Sequence, residues 1–446
     1  MDKKEVLKKC LLAYSSNMNS FQRLLSCFDI KIALLKRRRR RNLLIMQKLR
    51  QEQLLILTVL QQSANKRSLW KLKRESVFWE EQCQHNGDEF FKKHFHMNRA
   101  SFDILCSFMK GFKRADTNYR TAIPLQKRVA ISLFGLCSNE KYKAVSNLFG
   151  VGVSTAGLLL LEFCQEVWKI MSKRYINKLP PTQETLTECL EGFQRFGIPQ
   201  CLGVIDTCHL EVVPLAHLAT EYMNVDCWYS IILLALVDYR LRFLYMNVGA
   251  SGACAPLDIY DSSLLKELLS EDEILLANKK QLDGDGIEIP VCIVGDSTFK
   301  LSPTLMKPYD STNIPLKKEQ EFFNTKLTEC RKALSERAFN QLKARFRRIA
   351  YSIDNRRRNA PLIVRACCVL HNFLIERHDD FEEVWLQEVQ NSITLKKSPK
   401  IEIDDTDDNV TGESISAELI RQALCNYICS SVSSHLLKCS PISFDT

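Results

Sequence analysis

The sequence carries 18 cysteines but no CxxC pair. Without such pairs a zinc finger is not expected. Residues 1–5 lack the apolar core of a signal peptide. No stretch approaches the ~18 uninterrupted apolar residues of a membrane span. There is no GxGxxG, no Walker loop and no Cys/His arrangement that supports nucleophilic catalysis. The thiols are therefore expected to be reduced and mostly buried, in an intracellular protein without a membrane segment.

What is present is a large chain with an uneven charge. At 446 residues it has room for about two or three domains at roughly 150 residues each. A hydrophobic content of 46% supports a large core. The net charge of +10 is concentrated at one end: residues 1–75 hold 19 Lys/Arg and 5 Asp/Glu, and residues 76–446 sum to −4. That asymmetry points to a nucleic-acid or targeting arm on a near-neutral body. Within the arm, Lys36 is followed by Arg37, Arg38, Arg39, Arg40 and Arg41. Six adjacent cations repel and must be solvated or meet a polyanion. They read as a nuclear-import signal or DNA contact, or else as the charged face of a helix. The leucine-rich Leu54–Leu60 suggests a helix that pairs with another chain, but its heptad is poor.

From 76 to 198 the pattern is helical. Phe102, Leu105, Cys106 and Met109 have helical spacing, and Pro124 opens a helix through Val129, Leu133 and Leu136. A helix over 143–149, the turn Gly150-Val151-Gly152 and a second helix starting near Ser154 make a helix-turn-helix pattern. In such a motif the first residues of the second helix meet base edges, so Ser154 and Thr155 are the candidates. An ordinary helical hairpin fits the same residues. Past 200 the period becomes strand-like: 202–206, a hairpin of 229–237 with 243–248, and 289–296. Helices follow over 258–270, 322–349 and 361–375. The order predicts a mixed sheet flanked by helices. The acidic run at 404–408 reads as a solvated linker, and 417–429 as a terminal helix.

Asp206 sits in or at the end of the apolar run 202–206, where an unpaired carboxylate costs several kcal/mol. A basic side chain, backbone N–H groups or a metal must neutralise it. Asp296 ends a second buried strand, and Glu336 lies on the helix over the sheet. Three carboxylates that converge repel one another unless cations separate them. Hard oxygen ligands select Mg²⁺ or Mn²⁺, and a metal pair supports phosphodiester cleavage.

The flanking residues add a resemblance. Gly203-Val204-Ile205-Asp206-Thr207-Cys208-His209 is similar to the first catalytic motif of Harbinger/PIF-type DDE transposases and their domesticated relatives. Val294-Gly295-Asp296-Ser297-Thr298-Phe299-Lys300-Leu301, with Met306-Lys307-Pro308-Tyr309, resembles the second. Phe323-Asn324, Arg331, Glu336-Arg337-Ala338-Phe339 and 342–347 resemble the third, and 366–372 the closing helix. The resemblance spans roughly residues 90–380. It implies an α/β, ribonuclease H-like nuclease domain preceded by an all-helical region, with Asp206, Asp296 and Glu336 as metal ligands. In that family a metal-activated water, then a DNA 3′-hydroxyl, attacks a phosphodiester. It further implies DNA as substrate, a Myb-like protein partner, a homo-oligomer, and a location in the nucleus with the cytoplasm as a second compartment. The matching domains are 1–75, a basic arm; 76–198, helical; 199–380, the nuclease; and 381–446, a linker and terminal helix.

The chain departs from the family pattern in places. The Asp of the usual Gly-Ser-x-His-Asp is missing from 249–255, leaving Asp258 or Asp261 to substitute, and 224–228 lack the usual cations and Gly. Asn340 stands where Gly often follows. A domesticated DNA-binding or scaffold protein with little or no nuclease activity is the alternative reading. Lys343, Arg345 and Arg347 are candidates for phosphate contact, or a solvated helix face. His209, Asn324 and Arg331 are candidates for supporting roles. His371 and Asn372 read as a satisfied core pair.

Overall fold

A computed structural model describes residues 3–63, 76–116, 118, 121–176, 179–282, 287–310, 315–353, 359–394 and 415–436. The chain forms two compact units, Met1–Leu72 and Lys73–Thr446. In the first, one helix, α1, runs over Lys3–Ser63. Leu, Lys, Arg and Gln recur through it, and all lose little rotamer freedom in a helix. Residues 3–56 are exposed, and Arg37–Arg41 lie on this helix.

The second unit begins with helices α2 (Asp88–Phe95), α3 (Arg99–Phe108), α4 (Leu125–Cys137), α5 (Tyr142–Phe149), α6 (Val153–Tyr175) and α7 (Gln183–Arg195). Phenylalanines knit them together; Phe78 meets Phe149 edge-on, with ring centroids 5.3 Å apart. That geometry sets the positive ring edge against a negative face. Helices α5 and α6 cross at 100°. The corner needs Gly150, whose φ of 65° is left-handed. Gly152, not Ser154, occupies the N-cap of α6.

Then comes a five-stranded sheet: β1 (Cys201–Glu211), β2 (Ser230–Val237), β3 (Phe243–Ser251), β4 (Cys292–Val294) and β5 (Leu305–Met306). Its order is β3-β2-β1-β4-β5. β1 pairs antiparallel with β2, placing Asp206 opposite Ala235, and parallel with β4, placing Val204 opposite Val294. Alternation then gives the sheet two faces. Ile205, Ile232, Leu234 and Ile293 pack on α7 and on two short helices, α8 (Pro256–Asp261) and α9 (Leu264–Glu271).

The opposite face carries Val204, Asp206, Cys208 and Leu210. It lies under α10 (Lys318–Arg331), α11 (Arg337–Arg345) and α12 (Ala360–Glu376). The all-helical segment and the sheet share this core, because Leu159 and Phe163 of α6 belong to the same cluster as Cys367 and Leu370 of α12. Beyond α12 lies α13 (Glu383–Thr394), and α14 (Ile415–Leu436) buries Leu424 and Cys425 against Phe323 and Leu327 of α10. The fold is thus a mixed sheet with helices on both faces, behind a helical N-terminal region. The acidic run at 404–408 lies outside the described residues.

Two expectations change in detail. β1 continues to Glu211, so Asp206 is in mid-strand. The helix expected over 322–349 is broken: a π-helical turn spans Lys332–Glu336, and α11 ends at Arg345 before a short helix, Arg347–Ala350. All 17 cysteines among the described residues are free thiols.

Two buried histidines tie distant segments together. His96 donates from Nδ1 to the Arg345 carbonyl at 2.6 Å and stacks on Trp385. His371 donates from Nε2 to the Leu241 carbonyl at 3.0 Å. Beside it, Asn372 accepts from the Phe243 N–H and donates to the Tyr175 carbonyl. Burial holds both imidazoles neutral and pushes their pKa from 6.5 to about 3. Protons therefore bind the unfolded chain first. The stability due to neutrality is complete above pH 6.5 and is lost as pH falls toward 3. At pH 5 the two together should cost about 4 kcal/mol relative to pH 7.5. Urea unfolding at the two pH values checks this, and His96→Gln with His371→Gln should flatten the profile.

Candidate active site

Asp206 is a carboxylate in the middle of a buried strand, only 6% exposed. Its oxygens are all engaged. Oδ1 accepts the Thr207 N–H at 2.8 Å. Oδ2 accepts Arg331 Nη1 at 3.1 Å and the Ser335 hydroxyl at 2.7 Å. Burial raises its pKa; the Ser335 hydroxyl, the Arg331 charge and the Thr207 N–H oppose this, while the Asp296 charge adds to it. The influence of Asp296 places the second carboxylate in the same electrostatic neighbourhood.

Arg331 ends α10, and its guanidinium also reaches Glu336 Oε1, 3.4 Å from Nη2. One cation therefore bridges Asp206 and Glu336. The π-helical turn Lys332–Glu336 makes this possible. An extra residue in the turn shifts the face of the helix, and such bulges recur at functional sites. Ser335 is buried and Glu336 remains 43% exposed at its side chain, open to a substrate.

Asp296 lies two residues beyond β4, half-buried. Its Oδ1 accepts the Thr298 N–H at 3.0 Å and the Thr298 hydroxyl, an Asx turn that aims the carboxylate. Ser335 and Thr298 were not singled out from sequence. Their only signal is position, one residue before Glu336 and two after Asp296.

His209, three residues after Asp206, points to the other face. Its Nδ1 pairs with the Ser230 hydroxyl at 2.9 Å, and burial, helped by the Lys343 charge, lowers its pKa. It does not join the carboxylates. Lys343 donates to the His209 carbonyl at 3.2 Å. Asn324 accepts the Tyr309 N–H at 2.7 Å and donates to the Tyr309 carbonyl at 2.8 Å. Its amide pins the 309 loop, a structural supporting role.

The place of Arg345 is a correction. It is 4% exposed and bound to Asp379, so phosphate cannot reach it. Arg347 is paired with Glu388. Asp258 is exposed on α8, and Asp261 pairs with Lys266. Ser154 is exposed and Thr155 half-buried at the start of α6.

Among the described residues, no group of three or more His, Cys, Asp or Glu is gathered closely enough to hold a metal ion. The donor chemistry nonetheless fits a divalent cation. Asp206, Asp296 and Glu336 offer hard oxygens, and the Arg331 guanidinium supplies positive charge between two of them.

Residues 205–372 match the model of the DDE superfamily endonucleases, a segment that begins beside Asp206 and ends on α12. The chain is 30% identical to the Arabidopsis thaliana protein ALP1-like over 300 residues, 65% of this chain and 71% of that one. This chain belongs to the Harbinger transposase-derived nuclease family. It is also 28% identical to Antagonist of like heterochromatin protein 1 of Arabidopsis thaliana, over 66% of this chain and 75% of the relative. Against Bos taurus HARBI1, which carries the name of a nuclease, identity is 23% over 55% of this chain and 64% of the relative. No solved structure matches the chain. As a member of this family, the chain carries a DDE endonuclease domain on an α/β sheet flanked by helices.

Proposed function

We propose that the chain is a DNA endonuclease with a ribonuclease H-like catalytic domain, cutting phosphodiesters with Asp206, Asp296 and Glu336 and a divalent cation, Mg²⁺ or Mn²⁺. The observation that carries the reading is the buried mid-sheet Asp206 tied through Arg331 to Glu336, with Asp296 close enough to shift its titration. The three carboxylates would hold the cation, which supplies water activation and charge neutralisation at phosphorus. The protein's own part is to fix the carboxylates: Ser335 and Thr207 hold Asp206, Thr298 holds Asp296, and the π-helical turn presents Glu336. Supercoiled plasmid with Mg²⁺ or Mn²⁺ tests this. Wild type should nick or linearise it; no cleavage above the Asp296→Ala background would remove the enzymatic reading.

One observation favours a second reading, a DNA-binding or scaffold protein that keeps the fold without turnover. Arg331 already pairs with two of the three carboxylates and so partly neutralises them. The same plasmid assay separates the two.

DNA contact is proposed for Arg37–Arg41 on α1, for Ser154 and Thr155 at the start of α6, read as the second helix of a helix-turn-helix, and for Lys343. A Myb-like partner and a nuclear location belong to the same proposal. Replacing Arg37–Arg41 by Ala should shift a fluorescent fusion from nucleus to cytoplasm. An unchanged distribution would remove the import role.

A further inference from the structure

We infer that α1 pairs with the α1 of a second copy of this chain, in a parallel, in-register coiled coil over residues 7–35. Written as a heptad, the d positions are Leu7, Tyr14, Phe21, Phe28 and Leu35. The a positions between them are Leu11, Met18, Leu25 and Ile32. Nine consecutive seam positions are apolar, and all nine side chains are 44–69% exposed.

Several facts point to a second copy as the occupant. The first is the period. A straight helix lying on a globular surface keeps a 3.6-residue repeat and drifts about 20° per heptad from a 3.5-residue one. A strict 3.5 repeat held over about 42 Å of helix follows a partner that supercoils with it. The second is the area. Nine exposed seam side chains offer roughly 1,000 Å² per helix, against the ~800 Å² per partner of a standard stable interface.

The third is register. Continuing the heptad past Leu35 puts Arg39 at a and Asn42 at d, then Met46 and Leu49 at the next a and d, Gln53 at a and Ile56 at d. α1 runs unbroken through all of them. Only parallel, in-register pairing sets every polar layer against itself and every apolar layer against its equal. An antiparallel pairing of the full helix would set Arg39 against the Phe28 layer and Asn42 against the Leu25 layer. Polar seam residues are the usual device for fixing register.

The fourth fact sets the copy number. Each added helix brings six more cations, Lys36–Arg41, to the same end of the seam. Two copies carry less self-repulsion than three, and they present a paired basic stretch where the zipper ends. This inference stands apart from the nuclease reading, because it uses none of the catalytic residues.

Light scattering on the full-length protein at micromolar concentration tests it. Wild type should show twice the chain mass. Leu25→Asp with Ile32→Asp should give the single-chain mass. Ser16→Asp with Ser26→Asp, on outward positions f and b, should remain at twice the mass. Leu35→Cys should give a disulfide-linked dimer on oxidation that wild type lacks, as parallel register requires. A monomeric wild type, an unchanged mass for Leu25→Asp with Ile32→Asp, or no added cross-link in Leu35→Cys would overturn the inference.

Discussion

Asp379→Ala is expected to cost about 3–5 kcal/mol of stability, the usual result of stripping a buried charge of its partner. The partner is Arg345, at the end of α11. Its Nη1 lies 3.2 Å from Asp379 Oδ1 and donates to the His96 carbonyl at 3.1 Å; Nη2 donates to the Asp379 carbonyl at 3.1 Å. Asp379 Oδ2 accepts the Asn98 N–H at 2.9 Å. Trp385 and Phe381 face the guanidinium at 5.4 and 5.9 Å. The pair therefore clamps three segments, around residues 96–98, 345 and 379–385. Removing Asp379 leaves a buried guanidinium and an orphaned N–H. Urea unfolding of Asp379→Ala, Arg345→Ala and the double variant checks this. The double variant should lose less than the sum of the two, since the second change removes a charge already unpaired. Were Arg345 a DNA contact instead, Arg345→Ala would weaken DNA binding and leave unfolding unchanged.

The other large effect concerns chemistry. Asp206→Asn, Asp296→Asn and Glu336→Gln should each lower plasmid cleavage by roughly 100- to 1,000-fold, the scale of losing one group that stabilises a transition state electrostatically. Each variant keeps the shape of the side chain, removes its charge and turns one acceptor oxygen into a donor NH2 group. A loss shared by all three points to a common cation. The variants should differ in stability. Asp206→Asn leaves Arg331 with Glu336 alone and alters a buried hydrogen-bond cluster, whereas Glu336→Gln changes a side chain that is already half in solvent. Urea midpoints measured beside the cleavage rates separate the two kinds of loss.

Much of this arrangement is legible in the sequence. The β-formers around Asp206, the apolar run at 230–237 and the strand before Asp296 announce a mixed sheet, because strands buried on both faces carry few polar interruptions. The three carboxylates stand out because a charge in such a run needs compensation. What the sequence does not reveal depends on distant pairing. Arg345 resembles its neighbours Lys343 and Arg347 in type and spacing, yet only Arg345 is buried, because Asp379 and His96 come to meet it. Asn324 is claimed by Tyr309, a contact made by the fold of a loop. The π-helical turn that turns Glu336 toward Arg331 has no residue-type signature. In α1 the seam at 7–35 is masked by leucines off the seam, such as Leu12, Leu24 and Leu34, and by attention drawn to the basic run beyond it.

Asp206, Asp296 and Glu336 are proposed to hold one divalent cation beside Arg331. Mn²⁺ titration followed by electron paramagnetic resonance addresses this without requiring turnover. Wild type should take up Mn²⁺ with loss of the free-ion signal, and Asp206→Asn and Asp296→Asn should each weaken uptake at least 10-fold. Equal Mn²⁺ uptake by wild type and both variants, or none by wild type, would contradict it.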